Sequence, residues 1–245
     1  MTRRVAVLND AAFYVGPEQA RELARRGHDL VLGDPADGLV EELEAMGAAV
    51  EVVRGVRFRT DADAPRELVD AALARFGRID AASMFSGQIL TGRFLESSIE
   101  DLHKVLTSCL DAPYHFLRAV TPVMVQQGEG QILIITSASA ARPTFGAPLY
   151  STARAAATML ARNVAEEVVR SGVQVNVVGT NYMDFPEFLR ATGATDPEVR
   201  KKIEAQVPMR RLGTLEEFAS FCMPYLDGTS RFTTGQFVAF AGGWV

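Results

Sequence analysis

The chain has 245 residues, 48% of them hydrophobic, and a formal net charge of −5. That length suits one sizeable core, and an acidic balance with no basic stripe argues against a protein that tracks along a phosphate backbone. Cys109 and Cys222 stand alone and far apart, which excludes a disulfide framework and a cysteine zinc site, and His28, His103 and His115 lack metal-ligand spacing, so no metal is expected.

The opening MTRRVAVLND has an apolar run too short for a signal peptide or a membrane span, so a soluble cytoplasmic protein is expected. Short apolar runs then alternate with amphipathic stretches. Strands are predicted over 4–8, 29–33, 49–53, 79–84, 131–136, 173–178 and 236–240. Several are continuous and rich in Val and Ile, as in strands covered on both faces. Helices are predicted over 17–26, 38–46, 65–76, 98–127, 148–171, 197–205 and 214–225, with Gly27 and Gly172 as left-handed caps. The stretch 180–196 has no clear periodicity and is expected to be a loop lining the site, since it follows a strand at the ligand-binding edge of such a sheet. Strands separated by helices imply right-handed crossovers. The expected fold is a single-domain Rossmann-like three-layer α/β fold over 1–245, with a seven-stranded parallel sheet.

The densest chemical signal is TSASAARPTFGAPLYSTARAAA, residues 136–157. Ser137 directly follows a strand, Tyr150 starts a helix, and Arg154 lies four residues on, on the same helical face. A free phenol, with a pKa of about 10, is a poor base at neutral pH. A fixed neighbouring cation favours the phenolate, and Arg stays charged at any working pH. Tyr150 would then act as general base on a hydroxyl held by Ser137. Taken singly, a Tyr-x-x-x-Arg pair is also an ordinary surface pair, and a Ser after a strand is also an ordinary cap.

With Ser137 and Tyr150, the segments FGRID (76–80), VQVNVVG (173–179), VPMRRLGTLEEFA (207–219) and FTTGQFVAFAGGW (232–244) resemble the short-chain dehydrogenases/reductases over nearly the whole chain. Two departures mark the chain off. Arg154 stands where the reductases carry Lys. Their glycine-rich cofactor turn reads Asn9-Asp10-Ala11-Ala12-Phe13-Tyr14-Val15-Gly16, with Asp10 and Tyr14 at glycine positions and only Gly16 retained. Tyr14 would fill the space where backbone amides approach a pyrophosphate, and Asp10 would add a negative charge there. On this ground no nicotinamide cofactor is expected. Asp34 resembles the acid that binds an adenine ribose and is read as an inherited position or a turn residue before Pro35. Cys109 replaces a further catalytic Asn of the reductases.

The Ser–Tyr–Arg set with an aromatic turn resembles the halohydrin dehalogenases. That resemblance implies a lyase converting vicinal haloalcohols to epoxides, reversibly, with ring opening by azide, cyanide or nitrite. It assigns catalysis to Ser137, Tyr150 and Arg154, and a halide or nucleophile site to Phe13, Tyr14, Thr180, Asn181, Tyr182 and Met183. The substrate pocket is expected at Thr144, Ala147, Phe185 and Phe188, though Phe185 and Phe188 packing on each other is an equally open reading. Small-molecule haloalcohols, epoxides and anions are the expected partners, with no nucleic acid and no membrane. A homotetramer is expected through 98–127 and 148–171. Two alternatives stand beside it: an NAD(P)-dependent short-chain oxidoreductase with an atypical cofactor loop, and a non-catalytic Rossmann-like binding protein.

Overall fold

A computed structural model describes residues 3–87 and 89–244. Seven parallel strands form one sheet: β1 (Arg4–Leu8), β2 (His28–Gly33), β3 (Val50–Val53), β4 (Ala81–Phe85), β5 (Gly130–Ser137), β6 (Val173–Thr180) and β7 (Phe237–Phe240). They lie in the order β3-β2-β1-β4-β5-β6-β7. The order reverses between β1 and β4, which opens a crevice at their C-terminal ends.

The helices are α1 (Gly16–Arg25), α2 (Leu39–Ala45), α3 (Asp63–Phe76), α4 (Ile99–Leu106), α5 (Ala112–Gln127), α6 (Pro148–Val168), α7 (Pro186–Thr192), α8 (Pro197–Glu204) and α9 (Leu215–Cys222). Alternate strand residues feed two separate cores. Val5 and Val7 of β1, with Ile132 and Ile134 of β5, pack under α3, α5 and α6. Ala6 and Leu8, with Leu133 and Ile135, pack under α1 and α9. Each fully buried Val, Leu or Ile contributes about 1.5–3 kcal/mol. Covering on both faces explains why these strands read as unbroken apolar runs.

Three expectations about the elements change. The helix predicted over 98–127 is interrupted by a π-helical turn at Thr107–Asp111. Pro113 has no N–H to give the carbonyl one turn back, and a wide turn accommodates its ring. The stretch 180–196 is not all loop: β6 runs on to Thr180, and Pro186 opens α7. Its periodicity is hidden because α7 is short and buries no residue completely. The helices predicted to end at 171 and 225 finish instead in 3-10 turns, at Val169–Ser171 and Met223–Tyr225. Gly27 and Gly172 have the expected positive φ, 81° and 77°. No described helix is long and apolar enough to cross a membrane.

Candidate active site

Ser137 closes β5 and pairs in register with Thr180 at the end of β6. This sets its hydroxyl at the C-terminal edge of the sheet, where it accepts from the Ser139 amide (3.2 Å) and hydroxyl (2.9 Å) and donates to the Thr180 carbonyl (3.3 Å). Pro148 begins α6, where its fixed φ suits a first helical turn. Tyr150 therefore sits in that first turn and Arg154 one turn further along the same face. The Arg154 guanidinium carbon lies 5.0 Å from the Tyr150 ring centre.

Arg154 is 1% exposed. Its Nη2 donates to the Ser86 carbonyl, while its Nε and Nη1 have no hydrogen-bond partner among the described residues. Burial disfavours its charge, but Tyr150 and Cys109 beside it outweigh burial and hold its pKa above the ordinary guanidinium value. Gly87 makes room for this side chain. It has φ +106°, and a Cβ there would collide with Arg154 Nη2 and Cys109 Sγ. Ser86 and Gly87 are not singled out by the sequence, whereas Cys109 is noted there as the replacement for a catalytic Asn. The position of Ser86-Gly87 just beyond β4, at the switch point, is the signal that would have found the first two.

An aromatic cluster closes the crevice opposite α6. The Tyr14 ring centre lies 4.8 Å from Phe85 and from Phe185, and 5.9 Å from Phe218. The Tyr14 hydroxyl donates to Thr180 Oγ1 at 2.9 Å, and burial pushes its pKa well above the ordinary phenol value. Its φ is +52°, a conformation that glycine adopts freely and a tyrosine adopts only under strain. Gly16 is retained because a Cβ there would collide with the Asp10 carbonyl.

The residues expected around a halide divide into two groups. Tyr14 meets Thr180, the register partner of Ser137, and Phe13 joins the cluster through the Tyr14 ring at 6.4 Å. Tyr182 turns away, donating to Gln206 Oε1 at 3.0 Å and packing on Phe188 and Trp244. Met183 is a buried core residue bridged to Gly213, and the Asn181 side chain accepts from the Tyr182 amide. Among the expected pocket residues, Ala147 is buried against Tyr150 and Cys109. Thr144 turns its hydroxyl to the Arg142 carbonyl. Phe185 and Phe188 stack on each other at 6.1 Å, and Phe185 also joins the Tyr14 cluster. A cavity of about 250 Å³ lies instead beside the start of α6, lined by Leu90, Thr91, Gly92, Arg93, Pro148 and Leu149.

A dinucleotide does not fit the turn 9–16 as it is folded. Its pyrophosphate would need backbone amides brought close at glycines. Here the Ala12 and Phe13 amides donate to the Asp10 carboxylate at 2.9 and 3.0 Å, and the buried Tyr14 ring fills the space behind them. Asp34 is likewise engaged: its carboxylate accepts from the amides of Gly55, Val56 and Arg57 at 2.7, 2.9 and 2.6 Å. Burial opposes its ionisation, but these amides outweigh burial and hold its pKa below the ordinary carboxylate value.

Comparison with known proteins decides the family. A family profile described as enoyl-(acyl carrier protein) reductase matches residues 14–245. The 2,5-dichloro-2,5-cyclohexadiene-1,4-diol dehydrogenase LinX of Sphingobium indicum is 30% identical over 98% of this chain and 96% of its own. The chain belongs to the short-chain dehydrogenase/reductase family. The uncharacterized oxidoreductase YohF of Escherichia coli is also 30% identical, over 99% of this chain and 96% of its own. A gluconate 5-dehydrogenase from Burkholderia cenocepacia, solved with NADP and tartrate, shares the fold with a TM-score of 0.87. It is 23% identical and covers 99% of this chain and 95% of its own.

These relatives overturn the halohydrin dehalogenase expectation. Over their full length they are named dehydrogenases, reductases and oxidoreductases, whereas the dehalogenase resemblance rested on Arg154 and one aromatic turn. The lyase chemistry, the haloalcohol, epoxide and halide ligands, and the expected independence of a nicotinamide cofactor fall with it. The relatives favour the alternative, an oxidoreductase with an atypical cofactor loop.

Proposed function

We propose that the protein is a short-chain oxidoreductase that interconverts a hydroxyl and a carbonyl group on a small molecule, with Tyr150 moving the proton at the substrate oxygen. The observation that carries this reading is the buried Arg154 guanidinium 5.0 Å from the Tyr150 ring, one helical turn along α6 and beside the edge that holds Ser137. In the oxidation direction Tyr150 accepts the hydroxyl proton while the hydrogen on the adjacent carbon leaves as hydride to an external two-electron acceptor; in reduction an external hydride donor attacks the carbonyl carbon and Tyr150 returns the proton to the oxygen. Ser137 orients the substrate oxygen, its hydroxyl exchanging the Thr180 carbonyl for the ligand. Arg154 stabilises charge developing on the phenol oxygen from a fixed, water-excluded position. No hydride step is assigned to a dinucleotide, because the 9–16 turn does not fit one as folded.

A cavity of about 250 Å³ lies at the start of α6, lined by Pro148 and Leu149, the two residues that precede Tyr150 in the chain. The test is a screen of aliphatic and cyclic alcohols and ketones with each nicotinamide dinucleotide, following absorbance of the reduced cofactor together with product. Turnover of members of either class is expected, and none from folded protein across the screen contradicts the proposal. A homotetramer through α5 and α6 is also proposed. Exposed Tyr114 and Met159 on those helices support it, and sedimentation velocity measures it.

A further inference from the structure

We infer that the 9–16 turn is a self-occupied anion site, in which the Asp10 carboxylate takes the amides that a dinucleotide phosphate would use and Tyr14 fills the space behind, so that a dinucleotide binds only by displacing both. Four observations converge on it. The Ala12 and Phe13 amides both donate to one Asp10 oxygen. The other oxygen lies 3.1 Å from Arg57 Nε, so the chain supplies the cation as well as the anion. Arg57 also lies 5.2 Å from the Phe13 ring centre, which ties this pair to the aromatic cluster. Finally, the Tyr14–Thr180 hydrogen bond anchors the ring across the crevice, next to the strand end that carries Ser137.

The turn thus closes its own carboxylate onto amides that would otherwise face the crevice. The Ala12 and Phe13 amides, in the turn that precedes α1, favour a negative charge, and Asp10 provides it from within the chain. An incoming phosphate must compete with a tethered carboxylate, whose effective concentration is that of an intramolecular ligand. It must also move a buried aromatic ring with four ring neighbours, Phe13, Phe85, Phe185 and Phe218.

The test is equilibrium titration of the wild type, Asp10→Ser, Tyr14→Gly and the double variant with NADH and NADPH, by calorimetry. Circular dichroism checks that each variant is folded. Each single substitution is expected to tighten binding by about tenfold or more, and the double by more than either, since hydrogen bonds to charged groups are worth at least that factor. Equal affinity of wild type and folded variants, tight or undetectable, overturns the inference. Should a variant fail to fold, hydrogen exchange of the wild type over a series of NADPH concentrations decides. Exchange through 9–16 is expected to change only at NADPH concentrations far above those that fill an open dinucleotide site, and protection of that segment at low micromolar NADPH overturns the inference. Neither readout depends on turnover, so failure here leaves the acid–base role of Tyr150 standing.

Discussion

Arg154 and Tyr150 form a buried cation–phenol pair, with the guanidinium carbon 5.0 Å from the ring centre. Among the described residues no carboxylate makes an ion pair with this guanidinium. Its hydrogen bond to protein goes to the Ser86 carbonyl, and two of its nitrogens are unpartnered. Arg154→Met is expected to cost about 1–3 kcal/mol of stability, through the lost charge-assisted bond to Ser86 and the carbonyl left without that donor. Turnover should fall by about 10²–10³-fold, as when a fixed electrostatic stabiliser is removed. Urea unfolding and steady-state kinetics on the same samples check both halves.

Asp34 and Asp10 are expected to respond to pH in opposite ways. The Asp34 pKa is depressed in the folded state by three backbone amides. Its stabilising contribution is present above the unfolded carboxyl pKa of about 3.9 and is lost as pH falls through the lower folded value. Asp34→Asn should cost about 1–2 kcal/mol at neutral pH, with the gap closing in acid.

Burial raises the Asp10 pKa, and the amides of Ala12 and Phe13 together with Arg57 do not fully offset it. Ionising it therefore opposes folding above its folded pKa, and the penalty vanishes below the unfolded value. Asp10→Asn should be neutral to stabilising at neutral pH and indistinguishable from wild type in acid. Thermal unfolding as a function of pH distinguishes the two residues.

The Tyr14 cluster separates packing from hydrogen bonding. Tyr14→Phe keeps the ring contacts and loses the bond to Thr180, at a cost of about 1 kcal/mol. Tyr14→Ala also removes the ring from between Phe85, Phe185 and Phe218, at about 3–5 kcal/mol. Denaturant midpoints of the two variants measure the difference, and equal losses would place the energy in the hydroxyl.

The sheet was legible because strands such as β5 and β6 are fully buried and announce themselves as apolar runs. Ser137, Tyr150 and Arg154 were legible because all three lie within eighteen residues, spanning one strand end and one helical turn. What stayed hidden depends on side chains meeting across the fold. Ser86 and Gly87 matter through Arg154, 68 positions away from Ser86. Asp10 looked like a charge of the wrong sign for an anion site. Its hydrogen bonds to Ala12 and Phe13, and Arg57 from beyond β3, show it to be the anion itself. The residues of 180–183 were read as one wall, but Thr180 belongs to the end of β6 while Tyr182, with φ +56°, turns its ring toward Phe188 and Trp244.

Proton transfer by Tyr150 during alcohol–carbonyl interconversion is tested most directly by comparing wild type with Tyr150→Phe on one substrate that the wild type turns over. A folded Tyr150→Phe protein with substrate affinity unchanged and turnover lowered by about 10²–10⁴-fold is the expected result. Turnover equal to wild type, across the pH range where the enzyme is stable, would contradict it.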